Sequence, residues 1–133
     1  AFKKDGSVTA ASSSSISDGA AAVVLLTEED AAARGITPLA RIVGHATHAG
    51  VPAKFPSAPV GSIEKLFAKT GWSADSVDLF EVNEAFAVVA MAALHDLKLD
   101  PAKVNPLAPA ELVIDHADVG EPFLCKHALQ GSA

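Results

Sequence analysis

Tyrosine is absent from the 133 residues, tryptophan and cysteine occur once each, and aromatic side chains make up only 5% of the chain. A core must therefore come from Ala, Val and Leu, whose small side chains suit close packing of helices on a sheet. The single Cys125 excludes an internal disulfide and a cysteine-based structural zinc site made by this chain alone, the pattern of a reduced, cytoplasmic protein. Positive charge is also scarce. Ten Lys and Arg stand scattered against sixteen Asp and Glu, and a formal net charge of −6 argues against a nucleic-acid surface. The longest uncharged apolar run, Ala20 to Leu26, is far too short to cross a bilayer, so no membrane span is expected. The opening AFKKDGSVTA has no charged-then-apolar signal segment, so nothing in it indicates secretion.

Half the residues are apolar, and a chain of this length can bury roughly two-thirds of the surface it exposes when unfolded. The apolar pattern is organised about Ser76 to Leu97, where the strand-favouring run Val77, Leu79, Phe80, Val82 gives way to a helical stripe of Phe86, Val89 or Ala90, Ala93 and Leu97. Asn83 stands at the junction. Its side chain suits an N-cap and Glu84 suits a first helical turn. Strand-to-helix junctions are also where parallel α/β sheets bind ligands, so a capping role and a site role both stand open for Asn83.

Elsewhere a turn is expected at Lys4-Asp5-Gly6, followed by a serine run that is either a linker or a loop held against a sheet. A strand should follow over Ala20 to Leu26. Thr27 then caps a short acidic-headed helix that runs to Arg34 and is closed by Gly35. A second strand is expected over Leu39 to Ala46, a proline-rich loop over Thr47 to Pro59, and a helix over Val60 to Lys69 closed by Gly71. The order strand, helix, strand, loop, helix, strand, helix predicts an α/β fold with a mostly parallel sheet and flanking helices. Past Asp100-Pro101 the order fades, with one candidate strand over Leu112 to Ile114.

Four stretches in order, SISDGAAAVVLL at Ser15 to Leu26, PLARIVGHATHAG at Pro38 to Gly50, FPSAPVGSIEKL at Phe55 to Leu66 and VDLFEVNEAFAVVA at Val77 to Ala90, resemble the second half of a thiolase of the acetyl-CoA acetyltransferase kind. The resemblance covers about residues 1–105 as a C-terminal-half segment and leaves 106–133 as an unrelated tail, in which PLAPAELVIDHAD faintly resembles aconitase-type dehydratases. It implies an incomplete thiolase-like fold acting on acetyl-CoA and acetoacetyl-CoA, with the coenzyme A thioester as substrate and no separate cofactor. In such enzymes a nucleophilic Cys carries the acyl group, a second Cys moves the proton, and a His with the NEAF Asn stabilises the thioester enolate. By this resemblance Asn83 takes the enolate-side role, working through an ordered water. Ser14 contacts the pantetheine arm with Ala10 and Ile16 beside it, Phe86 lines the acyl pocket, and Phe55 with Pro56 faces the thioester end. Ordinary packing is the alternative for both phenylalanines. Ser12 stands where the family usually has Asn.

The family pattern continues past the position of Asn105 with a Gly-His-Pro triplet and then Cys-x-Gly, and neither occurs in this sequence, nor does the nucleophilic Cys. The expectation is an acyltransferase segment that does not turn over as an isolated chain, or alternatively a non-catalytic coenzyme A-binding or oligomerisation module. The intact family usually forms homo-oligomers. His45, His48 and His95 read as surface or polar packing, no metal site is expected, and Cys125 with His127 reads as a tail thiol without a catalytic partner set.

Overall fold

A computed structural model describes residues 3–16, 18–106 and the backbone of 125–126. The expected strand at Leu112 to Ile114 and the side chains of Cys125 and His127 lie outside the described residues.

Among the described residues three helices form, the first two of them where sequence spacing places them. Helix α1 spans Glu28–Ala33. The Thr27 hydroxyl accepts from the Asp30 amide at 3.1 Å and donates to the Asp30 carboxylate at 2.9 Å, and three acids fill the first turn against the helix dipole. Helix α2 spans Ala58–Thr70 with Pro59 in its first turn, where a missing N–H costs nothing. Both helices are followed by a glycine with positive φ, Gly35 at 65° and Gly71 at 74°, conformations that side chains disfavour. Ile63 and Leu66 point inward from α2 and are buried, with Phe67 partly buried beside them.

Helix α3 spans Ala87–Asp96, and its N-cap position is Phe86, three residues later than Asn83. The cause lies in the residues before it. Phe86 is held extended by an antiparallel bridge to Ser13, and the Ser14 N–H bonds the Ala85 C=O beside it at 3.1 Å. A residue so held cannot also adopt helical dihedrals, so the capping role read for Asn83 does not hold, and the first turn of α3 carries no acid.

α2 and α3 pack on each other, and between them and the segment 77–82 lies the core: Leu66, Val77, Phe80, Val82, Val89, Ala93, Leu99 and Val104. Phe67 meets Phe80 edge to face at 6.5 Å. Among the described residues the segment 77–82 makes a single parallel bridge, Phe80 to Val104, through Phe80 N–H to Lys103 C=O at 2.8 Å and Asn105 N–H to Phe80 C=O at 2.9 Å.

Sheet structure is sparser than the alternation predicts. Within the expected strand over Leu39 to Ala46, only β1, Arg41–Ile42, is paired, and it runs antiparallel to β2, Cys125–Lys126. Residues 20–26 form no ladder among the described residues and stay open to solvent: Val23 is 82% and Val24 88% exposed. A strand exists only through a neighbour that takes its amides and carbonyls, whereas a helix satisfies its own.

The proline-rich stretch expected as a loop contains a 3₁₀ turn, Pro52–Ser57. It is tied back by α2, whose Lys65 and Lys69 ammonium groups donate to the carbonyls of Thr47 (2.9 Å) and His45 (3.2 Å). Among the described residues no helix is long and apolar enough to cross a membrane.

Candidate functional site: a cleft between the serine turn and the NEAF turn

Two turns meet across a shallow cleft of about 180 Å³ lined by Ala11, Ser12, Ser13, Ser14, Glu84 and Ala87. The first is a 3₁₀ turn, Ala10–Ser12, entered from Thr9, whose carbonyl accepts from the Ser12 amide at 3.1 Å while the Ser12 hydroxyl oxygen accepts from the Thr9 amide at 2.9 Å. Ser13 donates its hydroxyl to the Thr9 carbonyl at 2.7 Å. Short polar side chains favour this kind of backbone capture over helix or sheet, so the serine run is a structured turn and not a linker. The second turn is Asn83 to Phe86, joined to the first by the Ser14–Ala85 bond and the Ser13–Phe86 bridge.

Ser14 lies in the cleft wall and Ala10 in the turn that leads to it. Ile16 is 99% exposed and outside the lining. Phe55 and Phe86 meet edge to face, ring centres 6.3 Å apart, so the two aromatic residues read from the sequence share one contact beside the cleft. Asn83 is exposed and its side chain has no hydrogen-bond partner among the described residues.

Asn105 carried no assigned role in the sequence, where it only marked the end of the matching segment. Its φ of 45° is left-handed, a region that Asn tolerates better than most residues. From there its side-chain oxygen accepts from Val82 N–H at 2.7 Å, and its side-chain nitrogen donates to Val82 C=O at 2.8 Å and to a Glu84 carboxylate oxygen at 2.6 Å. The signal that could have located it is an Asn just past the Pro101–Lys103 3₁₀ turn, a residue type that tolerates left-handed backbone.

The three histidines among the described residues do not line the cleft. His95 is exposed and bonds Asp96 at 2.8 Å. His45 is exposed, and His48 is half-buried against Gly61 of α2. Among the described residues no group of three His, Cys, Asp or Glu is placed to hold a metal ion.

The model of the thiolase C-terminal domain matches residues 36–117, and that of the thiolase N-terminal domain matches residues 1–29. The chain belongs to the thiolase family. It is 48% identical over 105 residues to acetyl-CoA acetyltransferase of Paracoccus denitrificans, matching 79% of this chain and 27% of that one, and 50% identical over 105 residues to acetyl-CoA acetyltransferase B, mitochondrial, of Xenopus laevis (78% and 25%). Among solved structures, human mitochondrial 3-ketoacyl-CoA thiolase aligns with a TM-score of 0.75 at 43% identity, over 79% of this chain and 27% of that one. The dimeric peroxisomal thiolase of Saccharomyces cerevisiae aligns with a TM-score of 0.77 at 37% identity (80% and 27%). The thiolase chain thus spans about a quarter of the length of these relatives. The boundary between the two domain models falls across the cleft: the serine turn lies in the N-terminal match and the NEAF turn in the C-terminal match.

Proposed function

We propose that these residues form one wall of a thiolase thioester site, serving acetoacetyl-CoA formation and its thiolytic reversal in a complete thiolase, and that the 133 residues alone bind a coenzyme A thioester without turning it over. The observation that carries the reading is the pairing of the serine turn with the NEAF turn across an open cleft, since it places Ser14 and the Asn83 segment on one surface.

The chemistry of the wall suits the ligand. Hydroxyls and backbone groups dominate it, and among the described residues Glu84 is its one charged lining residue and no cation lines it, which fits the neutral, amide-rich pantetheine arm better than the phosphates. Phe55 and Phe86 offer apolar surface for the acyl end. An exposed Asn with a free carboxamide can order a water against a thioester oxygen, the place where negative charge develops in a Claisen step. The carbonyl attack and the proton transfers need thiols and an imidazole that the described residues do not bring to the cleft, which is why turnover is not expected. The human mitochondrial 3-ketoacyl-CoA thiolase has been solved with CoA, which supports a coenzyme A ligand for this surface. The parallel bridge at Phe80 likewise supports reading 77–82 as a strand of a parallel sheet.

Calorimetric titration with acetyl-CoA tests the binding half: the wild-type chain gives saturable heat that Ser14→Ala weakens, and no heat at millimolar ligand overturns it. Acetoacetyl-CoA thiolysis by the purified chain tests the other half, and turnover that survives Cys125→Ala and removal of any full-length enzyme defeats the claim of inactivity. A second reading, an association module, is favoured by the exposed apolar run around Val23 and Val24. Light scattering across a concentration series distinguishes it.

A further inference from the structure

The NEAF turn is held on every side except at Asn83 itself. On one flank Asn105 bonds both backbone groups of Val82 and the carboxylate of Glu84. On the other, Ala85 and Phe86 are paired with Ser14 and Ser13. A carboxamide has the donor and acceptor of a peptide group, so the Asn105 side chain adds one more rung to the ladder that Phe80 makes with Lys103 and Asn105, at the point where the Asn105 backbone turns left-handed and leaves it. Its third bond holds a carboxylate that lines the cleft, and a charge-assisted bond of this kind is among the stronger ones. Asn105 thus fixes the residues immediately before and after Asn83.

We propose that Asn105 is the positioning residue of this site, setting through Val82 and Glu84 the turn that presents Asn83 to the thioester. The proposal rests on the reading of Asn83 given above. It separates two roles within Asn105: its backbone needs a left-handed conformation, and its carboxamide does the holding.

Asn105→Gly keeps the left-handed backbone and deletes the carboxamide. Asn105→Asp keeps the shape but turns a carboxylate toward the Val82 carbonyl and Glu84, where both neighbours repel it. Adding Glu84→Gln to Asn105→Asp supplies an amide that donates to the new carboxylate. In acetyl-CoA titrations both single variants of Asn105 are expected to bind roughly tenfold more weakly, the scale of one charge-assisted bond, and the Glu84→Gln, Asn105→Asp pair to recover most of that loss. In amide NMR spectra the Asn83 backbone and side-chain resonances shift and broaden in Asn105→Asp and return in the pair. A role in stability alone would lower the unfolding midpoint without that return at Asn83.

Binding within twofold of wild type together with unmoved Asn83 resonances in both single variants overturns the proposal. If the wild-type chain binds no acetyl-CoA, the functional reading falls, and the Asn83 resonances still decide whether Asn105 positions the turn. Should Asn105→Gly fail to fold, the comparison of Asn105→Asp with its Glu84→Gln pair decides alone.

Discussion

Residues 58–105 and residues 18–43 are equally rich in apolar side chains and handle them in opposite ways. In the first region Leu66, Phe80, Val82, Val89 and Ala93 are buried in one cluster, and Ile63 is buried as well. In the second Val23, Val24, Leu25 and Leu39 face solvent, and only Ala31 of α1 is buried. The difference follows from how each element satisfies its backbone. α2 and α3 make their hydrogen bonds internally and need only an apolar partner face, which each supplies to the other. Residues 20–26 are patterned for a sheet, and a sheet strand needs neighbours on its edges and faces. Stability is therefore expected to be concentrated in 58–105, with the exposed side chains of 18–43 contributing little to it.

The hardest blow to that contrast is Leu66→Ala. Leu66 is fully buried at the centre of the core, next to Val77 and Ala93 in the same cluster, and truncation leaves a cavity worth about 2–5 kcal/mol. Urea unfolding followed by far-UV circular dichroism measures it. A loss below about 1 kcal/mol would mean that 58–105 is not the stabilising half.

A smaller effect tests how the loop before α2 is fastened to it. Gly61 lies under the His48 ring: a Cβ there would stand 2.5 Å from His48 Nδ1, closer than atoms can approach. Gly61→Ala is therefore expected to destabilise by about 1–2 kcal/mol, the overpacking penalty less the gain in helix propensity. In a His48→Ala background the clash is gone, and the same substitution should stabilise by a fraction of a kcal/mol through propensity alone. Thermal midpoints of the four proteins complete the cycle. Equal effects of Gly61→Ala with and without His48 would detach the loop from the helix.

The same division explains what could be read from the sequence. Thr27 with three acids, Gly35, Gly71 and the spacing of Ile63, Leu66 and Phe67 announce α1 and α2 because every interaction involved lies within a few residues. The start of α3 could not be read that way, since Ser13 and Ser14, some seventy positions earlier, pair with Phe86 and Ala85 and keep Phe86 extended. Asn105 escaped for a similar reason. Its bonds reach back 21 and 23 residues, and no local pattern reports them. The cleft was legible only through resemblance: the serine run and the NEAF turn carry recognisable residues, yet nothing in their separate periodicities says that they meet.

The smallest expected change in stability comes from the exposed region and is the most informative about it. Val24 is 88% exposed, so Val24→Asp removes no packing and should alter the unfolding free energy of the monomer by less than about 0.5 kcal/mol. A charge in the middle of an apolar run does change what the surface attracts. Binding of a hydrophobic dye should fall, and any self-association seen by light scattering should weaken, because docking the run against a second apolar surface would now bury an unpaired carboxylate. If Val24→Asp instead lowers stability as much as Leu66→Ala, and does so independently of protein concentration, then Val24 is packed within the monomer in solution and the two regions are one core. If the loss appears only at high concentration, the run is an interface between copies, and the stability of that region belongs to the assembly.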